Sequence, residues 1–446
     1  MRITLLNQFY VPDVAPTGLY LHDLARVLVQ RGHEVKVICS RRSYDGTKIF
    51  PRTEMLDGVE IVRLRATGFG RRGFLGKLAD YASFYGLLLV ALMFTRKRPD
   101  LILSLTTPPY IGLLGKLAAL RHRCRHAHWI MDLYPDVMLA HGMARSGWFI
   151  GVLRKLTRYQ FKGADHVFTL GPKMAASVSA YLGTAAAGKI AGDKTASTPR
   201  PSPGVHWLCL WSNSEMSPWP ENESNPMRTS RGWADDEVVF LYSGNMGLGH
   251  RFGEFLAAAK SLGSSGPRWV FAGDGKRRAE VVAAAKSMPA ARIDILDYVP
   301  KAVLRAHLCS ADVHLASLDS SWQGLMVPSK LQGSFAVGRP VLYVGGRDCE
   351  TAAWIEESGG GWVVDENDQA GLLRAIQQSL DPAERLKRGQ AALAFARQNF
   401  QMSTNCQRMA QLLEESSGFS ASQPLAVKVN QTGSNQVKVV DVQKTA

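Results

Sequence analysis

The sequence predicts an α/β protein built from two consecutive doubly wound, parallel-sheet units of Rossmann type, facing each other across a central cleft. Three observations predict it. Short apolar runs alternate with stretches of helical period, the pattern of βαβ units, and the series breaks off once and restarts. The 446 residues are too many for one hydrophobic core and suit two domains of about 200 residues. Glycine-rich turns follow strands in the second half, and sheets of this class bind ligands at the carboxyl ends of their strands.

The first unit starts with a strand at 2–9, a loop with two prolines at 10–17, and a helix opened by Gly18 whose Leu21, Leu24, Ala25, Leu28 and Val29 follow a helical period. Gly32 ends that helix, because glycine takes the left-handed conformation past a helix end at no steric cost. Strands at 35–39 and 59–65, a helix at 74–94, a strand at 101–105, a helix at 111–119 and strands at 126–131 and 165–169 complete a first domain, 1–205. Its segment 183–204, rich in Ala, Gly, Thr, Ser and Pro, is expected to be a flexible insertion, and 206–235, with many Pro, Ser and Asn, an interdomain linker. The second domain, 236–395, runs strand 238–242, helix 252–262, then strands at 269–272, 292–295, 313–318, 341–344 and 361–364. Leu, Ala and Phe at helical spacing predict helix over 383–415, and the polar tail 416–446 is expected to be disordered.

Charge divides the chain unevenly. Residues 1–182 hold 26 Lys and Arg against 12 Asp and Glu, whereas the other 264 hold 27 against 26. A basic half suits an anionic surface. Within it, 74–94 is an apolar stretch flanked by Arg71, Arg72 and Lys77 before and by Arg96, Lys97 and Arg98 after, which reads as an interfacial helix on an anionic bilayer or as a core helix with solvated charges. Nucleic acid is not expected as a partner: no zinc finger, RRM-type aromatic signature or basic zipper occurs. The six cysteines stand singly without a C-x-x-C pair, so they are expected to be reduced thiols rather than a zinc site or disulfide framework. The N-terminus turns polar too soon for a signal peptide, and no run reaches the ~18 apolar residues of a membrane span. A cytoplasmic protein, peripheral on the inner face of the cytoplasmic membrane, is the expectation.

Several short segments carry chemistry. Ser243-Gly-Asn-Met-Gly-Leu-Gly-His-Arg251 lies between a strand and a helix. Glycines let backbone N–H groups close on a phosphate and a helix start adds partial positive charge, which makes Gly244, Asn245, Gly247 and Gly249 candidate phosphate binders and Arg251 a candidate bidentate partner. A turn that packing alone requires would show the same glycines. The P-loop pattern G-x-x-x-x-G-K-[ST] is absent, which argues against a P-loop kinase or ATPase. Val327-Pro-Ser-Lys330 opens a helix, with Ser329 as candidate N-cap and Lys330 aimed from the first turn at the cleft, where it would neutralise a diphosphate. Gly273-Asp274-Gly275 follows another strand of the same sheet and suits a nucleotide pocket. Thr17-Gly18, at the first helix start, would add N–H donors across the cleft. Asp132 and Asp136 end a strand in the first half, where a carboxylate can accept a proton or orient a sugar hydroxyl. His128 shares strand parity with Asp132 and is a candidate on the acceptor side, although a satisfied core histidine is the favoured reading.

These pieces stand in a familiar order: Tyr10-Val-Pro-Asp13 with Thr17-Gly18, Arg31-Gly-His-Glu-Val35, Arg98-Pro-Asp100, Thr107-Pro-Pro109, Asp132-Leu-Tyr-Pro-Asp136, Tyr242-Ser-Gly-Asn-Met-Gly247, Ala272-Gly-Asp-Gly275, Ala311-Asp312, and Pro328-Ser-Lys330 through Gly338-Arg-Pro340. Together, over residues 1–410, they resemble the group 1 glycosyltransferases of GT-B fold, especially the branch making bacterial capsule, O-antigen (lipopolysaccharide) and colanic-acid-type exopolysaccharides. The resemblance implies a hexosyltransferase-type enzyme. It would move a sugar from a nucleotide-diphosphate sugar, held by the second domain, to an acceptor held by the first, often a polyprenyl-diphosphate-linked sugar. Gly244, Asn245, Gly247, Arg251 and Lys330 would surround the diphosphate, Asp132 would lie beside the transferred sugar, and helix 396–415 would cross back onto the first domain. The family mostly retains anomeric configuration and uses neither metal nor another cofactor; an Asp-x-Asp pair is absent here. One departure matters. Many relatives carry two glutamates eight positions apart around this lysine, and those positions are here Leu325 and Gly333. The departure motivates an alternative, a catalytically inactive GT-B scaffold or binding subunit; a nucleotide-sugar 2-epimerase is a more distant one.

Overall fold

The computed structural model describes residues 1–13, 15–69, 74–144, 146–183, 204–213 and 215–415. The expected insertion, apart from Gly183 and Gly204, the tail 416–446, and Arg71 and Arg72 lie outside the described residues. Two sheets organise the molecule. The first has strands β1 (Arg2–Leu6), β2 (Glu34–Ser40), β3 (Thr53–Leu56), β4 (Val59–Leu64), β5 (Leu101–Ser104), β6 (Arg125–Trp129), β7 (His166–Thr169) and β8 (Gly204–Trp207), in the order β3-β4-β2-β1-β5-β6-β7-β8. The second has β9 (Val239–Ser243), β10 (Arg268–Ala272), β11 (Ile293–Leu296), β12 (Val313–Leu318), β13 (Val341–Gly345) and β14 (Gly361–Val364), in the order β11-β10-β9-β12-β13-β14. Every pairing is parallel except that of β3 with β4.

Strands buried on both faces read as unbroken apolar runs, because successive side chains enter different cores. Val37 belongs to one core cluster and Ile38 to another; Phe240 and Leu241 divide in the same way in the second sheet. The sequence expectation missed two edges. β3 adds an antiparallel edge strand, and β8, pairing His166 with Gly204, makes the last strand of the first sheet later than 165–169. β6 stops at Trp129 rather than Met131, so strand parity does not extend from His128 to Asp132.

The strand orders place the cleft. Each sheet has a switch point where its order reverses, between β1 and β5 in the first and between β9 and β12 in the second, and crevices open at the carboxyl ends there. The loops after β9 and β12 are Gly244–Phe252 and the segment reaching Lys330, so two segments far apart in sequence meet.

The helix Met402–Glu415 packs on the helix Pro16–Gln30 of the first domain, and Glu414 accepts from Arg31 Nε at 2.7 Å and contacts His33 Nε2 at 2.7 Å. The two domains also touch through Met174 N–H, which donates to Glu350 at 2.8 Å, and Leu133 N–H, which donates to the Leu325 carbonyl at 2.9 Å. No described helix is long and apolar enough to cross a membrane.

Candidate active site

Lys330 is the first residue of the helix Lys330–Ala336, reached from β12, and its side chain leans back into the loop after β9. Its Nζ lies 3.0 Å from His250 Nε2 and 4.7 Å from the centre of the Tyr242 ring. His250 Nδ1 lies 2.7 Å from the Ser317 carbonyl, which can only accept. The proton therefore sits on Nδ1, and the Nε2 lone pair receives a hydrogen from Lys330. Burial, with the Lys330 charge second, pushes His250 down to about 3, so this imidazole stays neutral. Burial alone pushes the Lys330 amine down to about 7. The site thus holds a desolvated ammonium with no carboxylate against it among the described residues, the electrostatic opposite of a salt bridge and a good fit to an incoming anion.

The loop around it is tightly folded. Gly244 N–H donates to the Ala272 carbonyl at 2.9 Å and Met246 N–H to the Asp274 carbonyl at 2.7 Å, so the 244–249 and 273–275 turns support each other. Among the described residues, the N–H groups of Gly247, Leu248 and Gly249 have no partner. They are donors of the kind that cradle phosphate oxygens. The glycines are steric necessities: a Cβ on Gly273, at φ +127°, would sit 2.1 Å from the Gly244 carbonyl oxygen, and one on Gly244, at φ +135°, 3.1 Å from Lys330 Cε. Gly273→Ala is expected to cost about 3 kcal/mol of stability, measured by denaturant unfolding, and to abolish nucleotide binding. Wild-type stability and binding in that variant would contradict this geometry. The Asn245 side chain stays within the loop, its Oδ1 2.7 Å from where a Gly275 Cβ would lie. Asp274 and Ser329 are exposed, and Ser329 makes no side-chain cap to the helix it precedes.

Arg251 corrects an expectation. Its guanidinium is not held open for a phosphate: Nε donates to Glu254 at 2.8 Å, Nη1 to Asp319 at 3.1 Å, Nη2 to Asn367 at 3.1 Å, and Glu366 lies 3.6 Å away. This cage ties the end of the glycine-rich loop to the loops after β12 and β14. Sequence reasoning passed over His250, which stood in the open between Gly249 and Arg251, and over Asp319 and Glu366, whose relation to Arg251 depends on strand order.

On the facing domain, Asp132 is half-buried and has no hydrogen-bond partner among the described residues. Burial lifts its carboxyl to about 6. Thr106 and Leu325 fix the turn around it, accepting from Met131 N–H at 3.2 Å and Leu133 N–H at 2.9 Å. Asp136 is occupied instead: it accepts from Arg154 at 2.7 Å and from the Tyr181 hydroxyl. Asp136, Arg154 and Tyr181, with Leu133, Leu139, Gln323 and Leu325, wall an interdomain cavity of about 720 Å³. His128 is in the core and off the cleft, 1 % exposed, with Nδ1 2.9 Å from the Ser104 carbonyl and Nε2 2.8 Å from Gln160 Nε2. Gly18 offers no donor across the cleft, since its N–H bonds Ala15 O at 3.0 Å; it is glycine because a Cβ would lie 2.9 Å from Phe9 O. Thr17 Oγ1 accepts from Asn7 at 3.2 Å. Leu325 faces the cavity, and a Cβ at Gly333 would lie 3.3 Å from Leu308 Cδ1, so neither position supplies a carboxylate to the cleft. No three His, Cys, Asp or Glu side chains among the described residues group so as to hold a metal ion.

Both halves of the chain match known protein families. Residues 17–191 match the Glycosyl transferase 4-like domain family and residues 237–381 the Glycosyl transferases group 1 family. The chain is 25% identical over 294 residues to a probable glycosyltransferase, WbjE, of Pseudomonas aeruginosa, covering 66% of this chain and 69% of that protein. It is 23% identical over 401 residues to the putative colanic acid biosynthesis glycosyl transferase WcaI of Escherichia coli K12, covering 85% and 92%. Among solved structures, sucrose-phosphate synthase from Thermosynechococcus elongatus superposes with TM-score 0.69 at 15% identity, covering 93% of this chain and 98% of that one. Anabaena HepE in complex with UDP-glucose gives 0.63 at 14%, covering 93% and 100%. Two matched domains in family order, each carrying its part of the cleft, place the chain among the group 1 glycosyltransferases of GT-B fold.

Proposed function

We propose that this glycosyltransferase moves a hexosyl residue from a nucleotide-diphosphate sugar to a polyprenyl-diphosphate-linked acceptor during cell-surface polysaccharide biosynthesis, at the inner face of the cytoplasmic membrane. The observation that carries the donor half is Lys330 held by His250 at the end of the glycine-rich loop, whose Gly247, Leu248 and Gly249 N–H groups have no partner among the described residues, at the switch point of the second sheet. An ammonium and the free backbone donors of one loop would stabilise the departing diphosphate most as its charge develops. That arrangement needs neither a divalent metal nor another cofactor. Asp132 stands on the acceptor side, beside the transferred sugar, and retention of anomeric configuration is the expected outcome. The polysaccharide context draws on WcaI, described as a colanic acid enzyme, and the nucleotide-sugar donor on HepE, solved with UDP-glucose.

Incubation with a nucleotide-linked hexose and a polyprenyl-diphosphate-linked sugar should yield an acceptor heavier by one hexosyl residue, with release of nucleoside diphosphate. An unchanged acceptor with every UDP-, GDP-, ADP- and dTDP-linked hexose would overturn the reading.

The Lys330 amine adds a pH signature. A diphosphate binds the ammonium, which predominates below about pH 7 in the free protein. Donor affinity is therefore expected to be flat below that pH and to fall by up to about tenfold per pH unit above it, with proton uptake on binding. Calorimetry at pH 8 in two buffers of different ionisation enthalpy measures that uptake. Affinity that does not change between pH 7 and 9 would contradict a diphosphate contact by Lys330.

A further inference from the structure

We propose that the helix Trp148–Lys162 lies flat on an anionic bilayer and, with the helices Ile111–His122 and Phe74–Met93, forms one continuous membrane-contact face. The inference deepens the membrane location given above and rests on it. At about 3.6 residues per turn, Trp148, Val152, Leu156 and Tyr159 fall in one sector of this helix. Trp148 is 83 % exposed, Tyr159 55 % and Val152 44 %. Lys155, Arg158 and Lys162 occupy the adjoining sector and are exposed too, while Ile150, Thr157 and Phe161 point the other way and are buried. An exposed apolar strip edged by cations is the design of an interfacial helix, and tryptophan and tyrosine suit the headgroup level.

The strip continues sideways. Lys116 Nζ sits 3.3 Å above the Tyr159 ring and donates to the Tyr159 carbonyl at 2.7 Å, joining Trp148–Lys162 to Ile111–His122, whose Leu117 and Leu120 are exposed. His122 Nε2 in turn lies 2.7 Å from the Leu92 carbonyl, joining that helix to Phe74–Met93, whose Leu75, Leu87 and Val90 are exposed. The charge around these helices selects the occupant. Residues 81–164 hold 12 Lys and Arg against 3 Asp and Glu. A second copy of the chain would oppose like charges across such a contact, whereas anionic lipid headgroups are complementary to it.

The test is cosedimentation of the full chain with phosphatidylcholine vesicles with and without phosphatidylglycerol. The wild type should bind only the anionic vesicles and release in high salt. Trp148→Glu with Val152→Glu should weaken binding at least ~10-fold. Lys155→Ala with Arg158→Ala and Lys162→Ala should weaken it on the order of 100-fold and flatten its salt dependence. Both variants replace exposed side chains, so unfolding temperature and nucleotide-sugar binding should match the wild type. Leu386→Glu, an exposed leucine on the second domain, should leave vesicle binding unchanged. Wild-type vesicle affinity in both sets of variants would overturn this inference while leaving glycosyl transfer intact. Failure of the wild type itself to bind anionic vesicles would overturn the inference and the membrane location together, and a transfer assay in detergent would still decide the activity.

Discussion

Replacing Lys330 by alanine is expected to lower turnover at least ~100-fold with the fold retained. The amine lies against the glycine-rich loop, and His250 holds it by a neutral nitrogen rather than a carboxylate. Its charge is therefore unspent in the free protein and becomes most favourable when the leaving diphosphate gathers negative charge. The lost interaction is electrostatic and specific to the transition state, so kcat should fall more than KM rises. Lys330→Arg should restore little activity: the guanidinium is larger and planar, whereas the ammonium is fitted as a point charge 3.0 Å from His250 Nε2 and 4.7 Å from the centre of the Tyr242 ring. Single-turnover kinetics of the purified variants measures the effect. Turnover within a few-fold of wild type in Lys330→Ala would remove this residue from the mechanism.

Asp132→Asn carries the second large effect, a loss of turnover of ~100-fold or more. Burial lifts the Asp132 carboxyl to about 6, so it is mostly ionised at neutral pH and titrates within an accessible range. The wild-type rate should fall as pH drops through about 6, and that limb should vanish in the asparagine variant. Stability should move the other way. Because the folded pKa is raised, ionised Asp132 opposes folding at neutral pH, and the penalty lifts as pH falls below the folded value. The asparagine variant is therefore expected to melt no lower than wild type at pH 7. A merely structural aspartate would instead lose stability and keep the pH limb, and that pattern would sink the assignment.

The sequence made much of this architecture legible because its signals are local. Gly32 after a periodic run marks a helix end, and the alternation around β9 and β12 marks a parallel sheet. Lys330 was readable because a lysine in the first turn after a strand faces the carboxyl end of its sheet. What stayed hidden depends on long-range placement. The His250 partnership with Lys330 joins residues 80 positions apart, and the Arg251 cage draws Asp319 from 68 positions away. Arg251 beside a glycine-rich loop looks like a phosphate ligand until its carboxylates are in view. β8 opens at Gly204, beside a stretch rich in Gly, Ser and Pro, and is half-buried, so no apolar run marks it. Asp132 lies beyond the end of β6, so parity counted from His128 could not place it. The amphipathic period of Trp148–Lys162 is present in the sequence, and its meaning depends on which face the sheet leaves uncovered.

Thermal shift of the wild type and Lys330→Ala against UDP-, GDP-, ADP- and dTDP-linked sugars, without added metal, goes straight to the donor site. Ligand that binds only the folded state at 100 times its Kd adds about 2.7 kcal/mol, enough to raise the melting temperature by several degrees. The wild type should be stabilised by one nucleotide class, and the shift should shrink or vanish in Lys330→Ala. Stabilisation by none of the four, or an equal shift in both proteins, would contradict a donor diphosphate held at Lys330 and the loop from Gly244 to Gly249.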